Sequence, residues 1–224
     1  MAKRPDWLDD AVFYEIYPQS FKDTDGDGIG NINGITEKLP YIKELGCTAI
    51  WINPCFESPF LDAGYDVSDY CRVAPRYGTN DDLVRLFEEA HKLGMHVLLD
   101  LVPGHTSWEH PWFKESMKAD RNEFTDRYVW TDSVWEEPAG YPSIRGISER
   151  DGSCAINFFT HQPALNYGFY KPNAPWQQSM DSEGAVATRE ALKDVMRFWL
   201  SRGCDGFRAV SYTHLRAHET RSNL

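Results

Sequence analysis

The chain has 224 residues, 42% of them hydrophobic and 14% aromatic, which suits a packed domain or part of one and excludes a disordered or fibrous chain. A formal charge of −11 argues against nucleic acid as a partner, because no basic surface offsets repulsion from a phosphate backbone. Five scattered cysteines without a CxxC pair, no apolar signal region at the start and no membrane-length apolar run predict a cytoplasmic chain with reduced thiols and no membrane partner.

In chain order, the first predicted element is a buried strand at AVFYEIYP (11–18). DTDGDGIGN (23–31) follows, with carboxylates at alternating positions before a glycine turn. Asp23, Asp25 and Asp27, with the Ile29 carbonyl and Asn31, form an oxygen set of the kind Ca2+ prefers. The alternative is a solvated Asx-rich turn. An EF-hand is rejected, because its twelfth position needs glutamate and here holds Gly34. Ile35, Leu39, Ile42 and Leu45 then fall on one helix face, closed by Gly46.

A second buried strand is expected at TAIWINP (48–54), followed by the loop DAGYD (62–66). Asp62 and Tyr65 beside a glycine can hydrogen-bond and stack on a sugar ring, or simply make a turn. Leu83, Leu86, Phe87, Ala90 and Leu93 mark the next helix, capped by Gly94, and HVLLDLV (96–102) the third strand. Asp100 inside that apolar run is costly unless paired. His105, just past the strand end, is placed either to meet a ligand or to serve as a structural histidine.

Residues 103–184 carry Trp, Tyr, Pro and Gly without sustained periodicity, too long for a structureless loop, and are expected to be an inserted small domain. Leu192, Val195, Met196, Trp199 and Leu200 mark a further helix, capped by Gly203, and CDGFRA (204–209) a fourth strand. Arg208 in that strand needs an anionic partner, and the next position of like orientation is Val210.

The ordered set AVFYEIYPQSF, DTDGDGIGN, DAGYD, DLVPGHTS, HQPALN and DGFRA resembles the α-amylase superfamily, glycoside hydrolase family 13, over residues 11–209. HQPALN (161–166) is similar to the α-glucosidase and oligo-1,6-glucosidase branch, apart from Ala164. The resemblance implies an α/β fold: the N-terminal half, strands 1–4, of a (β/α)8 TIM barrel with an inserted domain B after strand 3. The implied division is 1–102 for the first three β/α units, 103–184 for the insertion and 185–209 for the third helix and fourth strand; residues 210–224, where the family pattern breaks, are expected to be a non-native tail.

The resemblance also implies an α-glucan or oligosaccharide substrate, bound through Asp62, Tyr65, His105 and Arg208, with a structural Ca2+ at the 23–31 loop. Arg208 would position a nucleophilic Asp two residues later, but that position holds Val210. VSYTHLRAHET (210–220) resembles a translated sequencing adapter. The expectation is therefore a retaining glycosidase without its catalytic carboxylates and inactive as it stands. The alternatives are a transglucosidase or sucrose/trehalose isomerase of the same superfamily, or a noncatalytic sugar-binding relative.

Overall fold

The computed structural model describes residues 5–138 and 140–210. The element order is β1 (Phe13–Ile16), α1 (Ile32–Glu44), β2 (Ala49–Ile52), β3 (Phe56–Glu57), β4 (Asp69–Val73), α2 (Asn80–Lys92), β5 (His96–Leu101), α3 (Pro111–Ser116), β6 (Ser143–Arg145), β7 (Ser153–Ala155), α4 (Glu183–Leu200) and β8 (Gly206–Ala209). The principal sheet has four strands in the order β1-β2-β5-β8, the order of a β/α progression in which each helical crossover places the next strand alongside the last. The β1–β2 and β2–β5 pairings are parallel, with Phe13 opposite Ala49 and Ala49 opposite His96. This α/β arrangement is that of the first strands of a TIM barrel.

The helices start where local chemistry satisfies their first N–H groups. Asn31 caps α1 by accepting from the Gly34 N–H at 2.8 Å. Thr79 and Asp82 form a reciprocal capping box on α2. The helices end at Gly46, Gly94 and Gly203, with φ of 87°, 64° and 107°, the left-handed conformation expected of them. Ile35, Leu39 and Ile42 on α1 and Leu83, Leu86, Phe87 and Ala90 on α2 are buried. Leu45 is not on the apolar face: it is the C-cap of α1 and is 54% exposed.

Burial on both faces holds for β2 and β5 but not for the outer strands. Phe13 in β1 is 38% exposed, and β8 is half-exposed along most of its length. The reason is position: among the described residues each outer strand has a neighbour on one side only.

The chain divides into two compact units. The first comprises Met1–Cys55, Cys71–Leu101 and Arg197–Arg208 and carries most of the four-stranded sheet with α1 and α2. The second comprises Phe56–Tyr70, Val102–Met196 and Ala209–Leu224. It has its own apolar clusters, one of Phe113, Tyr128, Trp130, Cys154 and Leu165, the other of Val129, Ala155, Ala164, Phe169 and Trp176. Aromatic side chains bury large areas each, so a segment with little regular structure still finds a core. The tail expected at 210–224 lies outside the described residues except for Val210.

Candidate active site

Within the second unit, Asp62, Tyr65, His105, Phe158 and Val210 line a cavity of about 180 Å3. At roughly 30 Å3 per water, that is room for a few waters or one sugar ring. The loop bearing Asp62 and Tyr65 is fixed by Asp66, which is fully buried. Its carboxylate accepts from the Ser58 hydroxyl at 2.9 Å and from the Leu61 and Asp62 N–H groups at 3.0 and 3.1 Å. Phe60 and Ala63 hold positive φ values of 59° and 52°, unfavourable for side-chain-bearing residues. The Asp66 bonds keep this loop in place against that strain.

His105 is 2% exposed and has partners on both ring nitrogens. Its Nε2 lies 3.1 Å from the Tyr65 carbonyl, which can only accept, so Nε2 carries the proton. Nδ1 then accepts from the Asn157 amide at 3.1 Å. Burial pushes its pKa down to about 4, so it is neutral at physiological pH. Tyr70 braces its backbone, the hydroxyl donating to the Val102 and His105 carbonyls at 2.7 and 2.9 Å. A side chain at Gly104 would displace the Asn157 amide, since its Cβ would stand 2.5 Å from that amide nitrogen. The Tyr65 carbonyl sets the tautomer of His105, and the Asn157 amide occupies its other ring nitrogen.

The Asp62 carboxylate accepts from the Gln162 amide at 2.7 Å, and Gln162 is fully buried. Asn157 and Gln162 are therefore the supporting residues that the sequence reading did not single out. Gln162 falls inside HQPALN, a stretch noted only for its family likeness, and Asn157 lies outside it.

Arg208 belongs to the first unit. Its expected partner two residues on is replaced by a different one: Nη1 lies 3.4 Å from both oxygens of Asp100. The guanidinium also lies 4.6 Å from the centre of the Trp51 ring, whose Nε1–H donates to Asp100 at 2.7 Å. Asp100, expected to be costly unless paired, is paired by these two groups.

The 23–31 loop lies in the first unit as well. The Asp23 carboxylate accepts from the N–H groups of Asp25, Gly26 and Gly28 at 2.8, 2.7 and 2.8 Å. These bonds, Gly28's foremost, hold its pKa below the usual carboxylate range. Ile29 donates its N–H to Asp27 at 2.8 Å, and Asn31 donates its amide to Asp25 at 3.1 Å while capping α1. Among the described residues no group of three or more His, Cys, Asp or Glu side chains is arranged to hold a metal ion. The Asp23 and Asp27 carboxylates of the expected calcium set thus accept from the loop's own N–H groups.

The α-amylase catalytic-domain family model matches residues 15–222, so the chain belongs to that glycoside hydrolase family. It is 46% identical to a probable α-glucosidase of Rhizobium meliloti (strain 1021), over 91% of this chain and 35% of that protein. It is 39% identical to an oligo-1,6-glucosidase of Bacillus sp. (strain F5), over 90% of this chain and 38% of that one. Among solved structures it resembles trehalose-6-phosphate hydrolase of Bacillus licheniformis, with a TM-score of 0.76, 41% identity, and 91% of this chain covering 35% of that one. An isomaltulose synthase mutant of Erwinia rhapontici NX5 bound to sucrose gives a TM-score of 0.76 at 37% identity, covering 93% of this chain and 36% of that chain. The chain spans about a third of the length of these relatives. Among the described residues no helix is long and apolar enough to cross a membrane.

Proposed function

We propose that this chain supplies the sugar-binding wall of a retaining glycosidase that cleaves α-glucosidic bonds of small oligosaccharides in the cytoplasm. The observation that carries the reading is the cavity in which Asp62, Tyr65 and His105 meet. A sugar ring there stacks on Tyr65 and offers a hydroxyl to the Asp62 carboxylate, while His105, with both ring nitrogens engaged, forms part of the cavity wall. Asp62, already oriented by Gln162, keeps acceptor positions for a hydroxyl. His105, neutral and locked in one tautomer, adds no charge for the sugar to desolvate. Arg208, held by Asp100 and Trp51, is the cation that the resemblance assigns to positioning an attacking carboxylate.

A retaining mechanism needs two carboxyl groups about 5–5.5 Å apart, one attacking the anomeric carbon and one protonating the leaving oxygen. Asp62 is the carboxylate among the cavity's lining residues, and Val210 presents an alkyl wall there. We therefore expect the 224-residue chain to bind sugar without hydrolysing it. Turnover of p-nitrophenyl α-glucoside by the purified chain above that of an Arg208→Ala control would overturn the inactivity. Failure of glucose to perturb the Tyr65 and His105 NMR signals at millimolar concentration would overturn the binding reading.

A second reading, transglucosidase or sugar isomerase, draws support from the likeness to isomaltulose synthase. Separating it from hydrolysis requires assays on an active full-length relative with water and sugar acceptors in competition. Calcium at the 23–31 loop stands as a further proposal. Its support is the sequence alone, in which Asp23, Asp25, Asp27, the Ile29 carbonyl and Asn31 are oxygen donors of the type calcium takes.

A further inference from the structure

The second unit holds a buried cation that no carboxylate meets. Arg127 is 7% exposed, and among the described residues its guanidinium has neither a hydrogen-bond acceptor nor an ion-pair partner. Its Nε is fully enclosed, while the Nη end, equally unbonded, reaches solvent. The Trp112 and Phe124 rings lie 4.9 and 5.1 Å from the guanidinium carbon. Aromatic rings offset part of a cation's charge, but they give no acceptor to its N–H groups, which lie in the guanidinium plane. Burial lowers the Arg127 pKa; the Tyr128 and Glu123 side chains oppose this by charge, and neither bonds to it. A charge withdrawn from water without a counter-charge is costly.

His110 adds a second donor beside it. It is 4% exposed, and its Nδ1 accepts from the Trp112 N–H at 3.1 Å. Burial, helped by the charge of Arg127, pushes its pKa down to about 3, so the ring is neutral and its proton sits on Nε2. No described residue accepts from that N–H. The His110 ring lies 4.4 Å from the Trp112 ring, so imidazole and guanidinium share one neighbour. None of these residues lines the sugar cavity.

We propose that Arg127 and His110 bind an oxyanion with two oxygens on one atom, a carboxylate or a phosphate. The paired N–H groups of a guanidinium match that oxygen spacing, and they meet it in the plane the flanking rings leave open. The charge that burial leaves uncompensated is then neutralised, and the imidazole N–H gains an acceptor. Binding of such an ion stabilises the fold by mass action.

Thermal melts of the 224-residue chain in millimolar phosphate, acetate or chloride, at matched ionic strength and about pH 7, test this. Phosphate or acetate should raise the melting temperature saturably, by about 3–6 °C at ten times its dissociation constant, and chloride should not. Which of the two acts more strongly identifies the ion class. Arg127→Met, which keeps an unbranched stem between the rings, should not respond to either oxyanion. Arg127→Lys, a cation without the fork, should bind the effective ion at least about threefold more weakly. An equal rise in Arg127→Met, or a rise in the unsubstituted chain no larger than in chloride, overturns the site. Should Arg127→Met fail to fold, NMR of the unsubstituted chain decides: the Arg127 and His110 side-chain N–H signals must shift along one saturation curve. If neither shifts, the site is overturned.

Discussion

The bond between Gln162 and Asp62 can be tested by an isosteric change, Gln162→Glu. The substitution keeps the shape of the side chain but places a carboxyl oxygen 2.7 Å from an oxygen of Asp62, where an amide now donates. Two carboxylates at that distance cannot both ionise without strong repulsion, so the pair keeps one proton. With the new group protonated, both wild-type bonds survive: its O–H donates to Asp62, and its other oxygen accepts from the Phe159 N–H. The cost of holding that proton sets the ceiling on destabilisation. For a glutamate with an ordinary pKa of about 4.3, it is about 1.36 × (7 − 4.3), or about 3.7 kcal/mol at pH 7.

The sign follows from linkage. The new carboxyl has its folded pKa raised, so the variant matches wild type below about pH 4 and loses stability progressively as pH rises toward the folded pKa. Urea unfolding of both proteins from pH 4 to pH 8 measures the difference directly, and glucose affinity should fall along the same curve. A stability difference independent of pH, or none at pH 8, would refute the claim that Gln162 donates to a charged Asp62.

Three further outcomes are expected. Gly34→Ala, normally stabilising inside a helix by about 1 kcal/mol, should instead destabilise by about 1–3 kcal/mol in thermal melts, because its Cβ would stand 2.1 Å from the Lys22 carbonyl oxygen. Asp205 accepts from His91 at 2.8 Å, His96 at 2.9 Å and the Val97 N–H at 2.8 Å, and though burial opposes it, the two histidines foremost among its partners bring its pKa down. Its stabilisation is therefore present above the ordinary carboxylate pKa and lost as pH falls through the folded value; Asp205→Asn should cost about 1–3 kcal/mol at pH 6 and little at pH 2.5 by urea titration. Calcium at the 23–31 loop should raise the melting temperature at millimolar concentration, and Asp25→Ala together with Asp27→Ala should abolish the rise; an unchanged melt in the unsubstituted chain removes the proposal.

The elements of the first unit were legible because their signals are local. An apolar residue every third or fourth position and a glycine past the last turn define a helix within one stretch of chain. The strands lost accuracy where burial depends on neighbours: AVFYEIYP reads as buried throughout, yet Phe13 is exposed because β1 is an outer strand. The family was legible from six short motifs in order, and Asp62, Tyr65 and His105 do meet at one cavity. The oxygen set at 23–31 shows the limit of such reading, since spacing gathers the carboxylates near one turn without deciding whether they face a cation or the backbone N–H groups they accept from.

Sequence alone determined the β/α order, the helix ends and the family, each a matter of periodicity, backbone freedom or motif. Tertiary structure decided who satisfies each buried polar group. Asp100 meets Arg208 across 108 residues, and Asp62 meets Gln162 across 100. A buried charge takes whichever partner folding brings within reach, and no local pattern encodes that choice.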